Sequence, residues 1–159
     1  MIRRIEQWID QTNLNYKDKR VSCAKFVDDF NGFYYLEFLQ EAYFVIVDTI
    51  PKPDLHGLDK MGLSDFLNME VDGITYKNTY YILPHLASNL RLHFHELVHV
   101  AQWKYLGAIP FIERYINEIQ TFGYEGSSLE RMAYGFDLRF HNGEDGVDIP
   151  SFVRDEYSF

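Results

Sequence analysis

The chain has 159 residues, 47% of them hydrophobic, and a formal net charge of −9, which is enough apolar material for one domain with its own core and too little for two. No run of Lys or Arg is present to follow a phosphate backbone, so nucleic acid is a poor candidate partner. Cys23 is the one cysteine, which rules out a disulfide framework and a cysteine-based zinc module, so any metal has to be held by histidine and carboxylate.

The N-terminal segment lacks the apolar run of a secretory leader, and no stretch is apolar enough to span a bilayer, so a cytoplasmic protein with no membrane partner is expected. Ile2, Ile5, Trp8 and Ile9 fall on one helix face and predict a helix over 2–12, with Asn13 as its stop. The aromatic-dense segment 26–44 predicts a second helix running into a buried strand at 42–47. Pro51, Pro53, Gly57 and Gly62 make 49–62 a long ordered loop of the kind that edges a cleft. Asp72-Gly73 predicts a turn, and the β-branched and aromatic run from Ile74 to Leu83 a strand, ended by Pro84.

A long helix is expected from Leu90 to Gly107, opened by Ser88 or Asn89 as N-cap and closed by Gly107, with Leu90, Phe94, Leu97 and Ala101 as its buried stripe. Further helices are expected over 111–121 and from about Ser128. The acidic segment 141–159, broken by glycines and a proline, predicts an extended arm. The expected fold is α+β with two or three strands in a single domain, 1–159. Residues 1–70 supply its N-terminal helices, strand and loop, 73–137 the site, and 141–159 a tail. The pattern carries no signal for oligomeric state.

Within the long helix, His95-Glu96-Leu97-Val98-His99 is an HExxH sequence in the helical context that motif requires. Four residues turn a helix by about 400°, so His95 and His99 project from nearly one face, roughly 6 Å apart along the axis. Two imidazoles so placed can reach one ion. Glu96 is rotated by about 100° from His95, beside the ion without ligating it, which suits a general base. His93 falls on a different face and is read as a polar or outer residue, while Gln102 lies on the stripe of His99 and could hydrogen-bond near the site.

A catalytic zinc needs a third protein ligand and an open position. Gln102 and Tyr105 stand where an HExxHxxGxxH pattern would need Gly and His, so the third ligand comes from further on: Glu113, Glu118, Glu125, Glu130, Asp137 or His141. Glu130 sits near a helix start, with small Ala133 permitting close approach to the HExxH helix. It also completes Ser127-x-x-Glu130, a capping box that would merely hold its own helix end.

"HELVH" followed by "LERMAY" resembles the gluzincin branch of the zincin metallopeptidases, and within it the small minigluzincins, over about residues 73–137. The resemblance implies a zincin-like fold: a small antiparallel or mixed sheet whose edge strand lies over the HExxH helix, and a second helix carrying a Glu ligand. It implies Zn2+ held by His95, His99 and Glu130, Glu96 as general base, and a peptide or protein substrate paired along the strand at 74–83, where Tyr76, Asn78 and Tyr80 are the candidate contacts. Tyr134 and His141 are candidate transition-state stabilisers, with Tyr124 and Arg139 beside them.

The expected function is therefore a zinc-dependent metallopeptidase. Two alternatives remain: a zinc-binding protein kept latent by Glu144, Asp145 or Asp148 of the tail entering the cleft, and an interaction module built on the aromatic surface, which would hold no metal. Cys23 is read as a buried core residue.

Overall fold

Ile5, Ile9 and Thr12 are the buried positions of the first helix, α1 (Ile2–Asn15), which runs two residues past Asn13, its expected stop. The computed structural model describes residues 1–158. After α1 come β1 (Val21–Ser22), a 3-10 turn at Cys23–Phe26, α2 (Leu36–Gln40) and β2 (Tyr43–Ile46). Segment 26–44 is thus not one helix. Its aromatics turn inward instead, with Phe30, Phe33, Tyr34 and Phe38 all buried. Phe30 and Phe33 meet Phe94 edge-on at 5.5 and 5.1 Å, and Phe94 stacks on Phe140 at 4.8 Å. Rings packed this way fill a core better than a helix presenting them on one stripe.

The loop after β2 carries a further short helix, α3 (Ser64–Asn68), and leads to β3 (Gly73–Tyr76) and β4 (Thr79–Ile82). The run 74–83 is therefore a hairpin rather than one strand. It reverses at Lys77-Asn78, where Lys77 adopts φ 60°, a conformation uncommon for a non-glycine residue. The Lys77 ammonium is tied to Glu6 and Asp10 of α1 at 2.8 and 2.7 Å. The sheet has order β1-β2-β4-β3, with β2 and β4 parallel and the other pairs antiparallel. β3 is its edge.

Helix α4 (Leu90–Leu106) opens on Asn89, whose side chain accepts from the Leu92 N–H, and ends at Gly107 with φ 85°. The expected single stripe understates its burial, since every residue from His93 to Trp103 is buried. The sheet, α5 (Ala108–Phe122), α6 (Ser128–His141) and α7 (Ile149–Tyr157) all pack on it. The tail is thus not an extended arm. Asp148 caps α7 by accepting from the Ser151 N–H at 3.1 Å and hydroxyl at 2.8 Å. Pro150 fits the first turn, where no N–H is needed, and Ile149, Val153 and Tyr157 are buried. The architecture is α+β, with seven helices and a four-stranded mixed sheet among the described residues. None of these helices is long and apolar enough to cross a membrane.

Candidate metal centre

His95, Glu96 and His99 lie in the enclosed middle of α4, each under a tenth exposed. Glu130 reaches them from the first turn of α6. Ala133 is fully buried one turn later and lets α6 approach α4 closely. The capping-box reading of Glu130 does not hold. The start of α6 is held instead by Glu118 of α5, whose Oε1 accepts from the Ser127 hydroxyl at 3.0 Å and the Ser128 N–H at 2.8 Å, leaving the Glu130 carboxylate to face the imidazoles.

One oxygen of that carboxylate, Oε1, lies 3.2 Å from His95 Nε2 and 3.1 Å from His99 Nε2. The other ring nitrogens are already engaged as donors. His95 Nδ1 donates to Asp137 Oδ2 at 2.7 Å, and His99 Nδ1 donates to Gln102 Oε1 at 2.7 Å. Gln102 is fixed in that sense because its amide nitrogen donates to the Leu129 carbonyl at 3.0 Å. With Nδ1 protonated in both rings, a neutral imidazole presents only a lone pair at Nε2. Two lone pairs aimed at an anionic oxygen repel unless an extra proton sits on each ring or a cation sits among the three atoms. Around a tetrahedral ion bonded at ~2.0–2.1 Å, donors are spaced about 3.3–3.4 Å apart. The observed 3.1 and 3.2 Å are close to that edge length, and the three groups are positioned to bind a metal ion.

No protein-family model, curated protein or solved structure matches this chain.

With no ion in place, burial alone would lower the pKa of His95. The bonds to Asp137 and Glu130, with the charges of Glu96 and Glu130, outweigh it and raise His95 to about 10. His99 also rises: burial opposes the change, and Glu130 drives it. Glu130 moves the other way. Burial would raise it, but His99 and the bonds from both rings hold it well below the usual carboxylate range. A cluster that attracts protons this strongly attracts other cations for the same reason.

Glu96 is the carboxylate this network leaves over. It is 4% exposed, raised by burial against the lowering charges of His99 and His95, and held by the Thr75 hydroxyl, which donates to Oε2 at 3.0 Å. Gly73 lies in β3, not in the expected turn, and a Cβ there would meet Glu96 Oε1 at 2.8 Å, Ile82 Cγ2 at 3.1 Å and the Tyr81 carbonyl at 3.2 Å. Two cavities meet at Gly73, Glu96 and Tyr124. One is apolar, lined by Leu63, Phe66, Trp103, Phe111 and Ile112. The other is polar, lined by Glu70, Asp72, Glu125 and Tyr134.

The remaining candidates divide. Tyr134 packs its ring on His95 at 4.6 Å and is 46% exposed in the polar cavity. Tyr124 lines both cavities. His141 is exposed at the far end of α6, about 16 Å along the axis from Glu130, and lines neither. Arg139 donates to the Asp145 carbonyl. Of the edge-strand residues only Tyr76 lies in β3. Asn78 is in the exposed hairpin turn, and Tyr80 sits fully buried in β4, paired on both sides. Tyr80 cannot meet a substrate there. Its hydroxyl donates to His93 Nδ1 at 2.6 Å, and His93 Nε2 donates to the Ala87 carbonyl at 2.8 Å, so His93 is a satisfied core residue. Cys23 is buried, as expected. Glu144, Asp145 and Asp148 are exposed and line neither cavity.

Sequence reasoning missed two members of the site, Thr75 and Tyr115, the latter donating to Glu130 Oε2 at 3.2 Å. It also considered Asp137 only as a ligand. Asp137 follows Glu130 by seven residues, two helical turns, and that spacing was the available sign that both face α4.

Proposed function

We propose that the protein is a zinc-dependent metallopeptidase of the zincin type, with His95, His99 and Glu130 as ligands and Glu96 as general base. The observation that carries this reading is the convergence of two Nε2 lone pairs and one carboxylate oxygen beside a second buried carboxylate that is not part of their contact set. Two imidazoles and one carboxylate suit zinc and leave room for water and substrate. Bound there, zinc supplies Lewis acidity toward a water and toward a substrate carbonyl.

The other roles belong to the chain. Glu96, raised by burial, takes a proton from the attacking water and passes it to the leaving amine as the C–N bond breaks. Asp137 and Gln102 fix the tautomers of the two histidines. The peptide lies against Gly73. Leu83 N–H donates to the Asp72 carbonyl across the hairpin, so by alternation Gly73 and Thr75 turn their backbone groups away from β4. The Thr75 carbonyl is already bonded by the Trp103 indole at 3.1 Å, which leaves Gly73 as the pairing position.

Elemental analysis and hydrolysis of an unstructured protein substrate, on wild type, His99→Ala and Glu96→Gln together, test the reading. One zinc per chain in wild type and Glu96→Gln, none in His99→Ala, and hydrolysis in wild type alone are expected. Hydrolysis by metal-free protein would overturn it.

A further inference from the structure

Resting on the metal site proposed above, we infer that Tyr115 is a positioning residue that holds Glu130 as a one-oxygen ligand. The two oxygens of Glu130 are used differently. Oε1 faces both histidine Nε2 atoms at 3.2 and 3.1 Å, whereas Oε2 accepts the Tyr115 hydroxyl at 3.2 Å. A carboxylate in a site of this kind has two modes available, binding through one oxygen or through both. A hydrogen-bond donor fixed on the second oxygen favours the first mode, because turning that oxygen to the metal would strip the half-buried phenol of its partner.

Tyr115 is well placed to hold still. It comes from α5, a different helix from the ligands, and lines the apolar cavity with Trp103 and Phe111. Its ring stacks on Phe111 at 5.7 Å and meets Phe66 of α3 edge-on at 5.8 Å. A phenol is protonated at neutral pH, so it stays a donor. The consequence is coordination space. A Glu130 bound through one oxygen keeps the coordination number low and leaves the apolar-cavity side of the site for a water and a substrate carbonyl. Phe66, which lines the apolar cavity, also stacks on Tyr124 at 6.2 Å, so α3 bears on this contact.

The test uses the full chain loaded with cobalt(II), whose visible absorption is intense in four-coordinate sites and weaker in five-coordinate ones, compared between wild type and Tyr115→Phe. Tyr115→Phe is expected to take up one cobalt per chain with a weaker, shifted band, and to lose zinc to a chelator about 10–100-fold more readily. A Tyr115→Phe spectrum and zinc release rate matching wild type would overturn the inference and leave the metal site standing. Failure of wild type to bind cobalt or zinc would overturn both. If Tyr115→Phe does not fold, X-ray absorption or a crystal structure of zinc-loaded wild type decides, and both Glu130 oxygens at bonding distance would overturn the inference.

Discussion

A Cβ placed on Gly73 would fall 2.8 Å from Glu96 Oε1, closer than side-chain carbons approach other atoms in folded proteins. Glu96 therefore occupies the space of a missing side chain on the edge strand. Gly73→Ala should push the Glu96 carboxylate off its Thr75 bond while leaving the three ligands in place. Zinc content is expected to stay at one per chain, and hydrolysis to fall by up to about 100-fold, the cost a displacement of about 1 Å can carry. Unchanged kcat at unchanged zinc would show that Glu96 is not the base.

Asp137 is 4% exposed and bonded to both His95 and Arg91. Asp137→Asn keeps the shape but can present an N–H to Nδ1, favouring the wrong tautomer of His95. Zinc affinity in a competitive chelator titration is expected to drop by about 10–100-fold. Arg91→Ala, which reaches His95 only through Asp137, should have a smaller effect.

Metal removal should make stability depend on alkaline pH. In the metal-free protein His95 is raised from 6.5 to about 10, so the folded state keeps a proton that the unfolded chain releases. That contribution is complete below about pH 6.5 and is lost as pH climbs through 10. The Tm of chelated protein should therefore fall between those limits, while zinc-loaded protein, with the ring nitrogen bound, should lack this decline. Zinc affinity should rise with pH over the same window, because the ion displaces that proton. A flat Tm for chelated protein would remove His95 from this cluster.

Glu118, rather than Glu130, is the cap of α6. Glu118→Ala is expected to cost about 1–2 kcal/mol in urea unfolding, with zinc retained. Glu130→Gln should lose zinc and, unlike Glu118→Ala, should weaken the fall of Tm with pH in metal-free protein, because the proton on His95 loses a carboxylate partner. Zinc retained in Glu130→Gln would restore the capping reading.

Helix α7 buries Ile149 with 0% exposure. Ile149→Ala should cost about 2–4 kcal/mol by the usual scale for such deletions, and removal of 148–159 should destabilise the protein rather than release activity. Enhanced hydrolysis after truncation would instead support a tail that blocks the site.

Much of this site was legible before any fold was known. Asn89, Gly107 and Pro110 bracket α4, and the His95–His99 spacing lies inside it. The hairpin was not legible, because Lys77-Asn78 lacks the glycine that marks a tight reversal, and its unusual φ is supported by Glu6 and Asp10 some seventy residues away. Helix α7 had a local sign in Asp148, Pro150 and Ser151, masked by glycines and acidic residues around it. Thr75 and Tyr115 had none. Their roles exist only because β3 and α5 meet α4 and α6, and pairings at that range leave no mark on neighbouring residues.

Helix α4 is buried from His93 to Trp103 between the sheet, α5, α6 and α7. The amides of His95 to His99 are helical and belong to buried residues, so they should be among the slowest in the chain to exchange with deuterium. The site then has no local flap of its own backbone. A ligand bound there adds its binding free energy to the entire domain, and the slowest-exchanging amides become a direct gauge of occupancy.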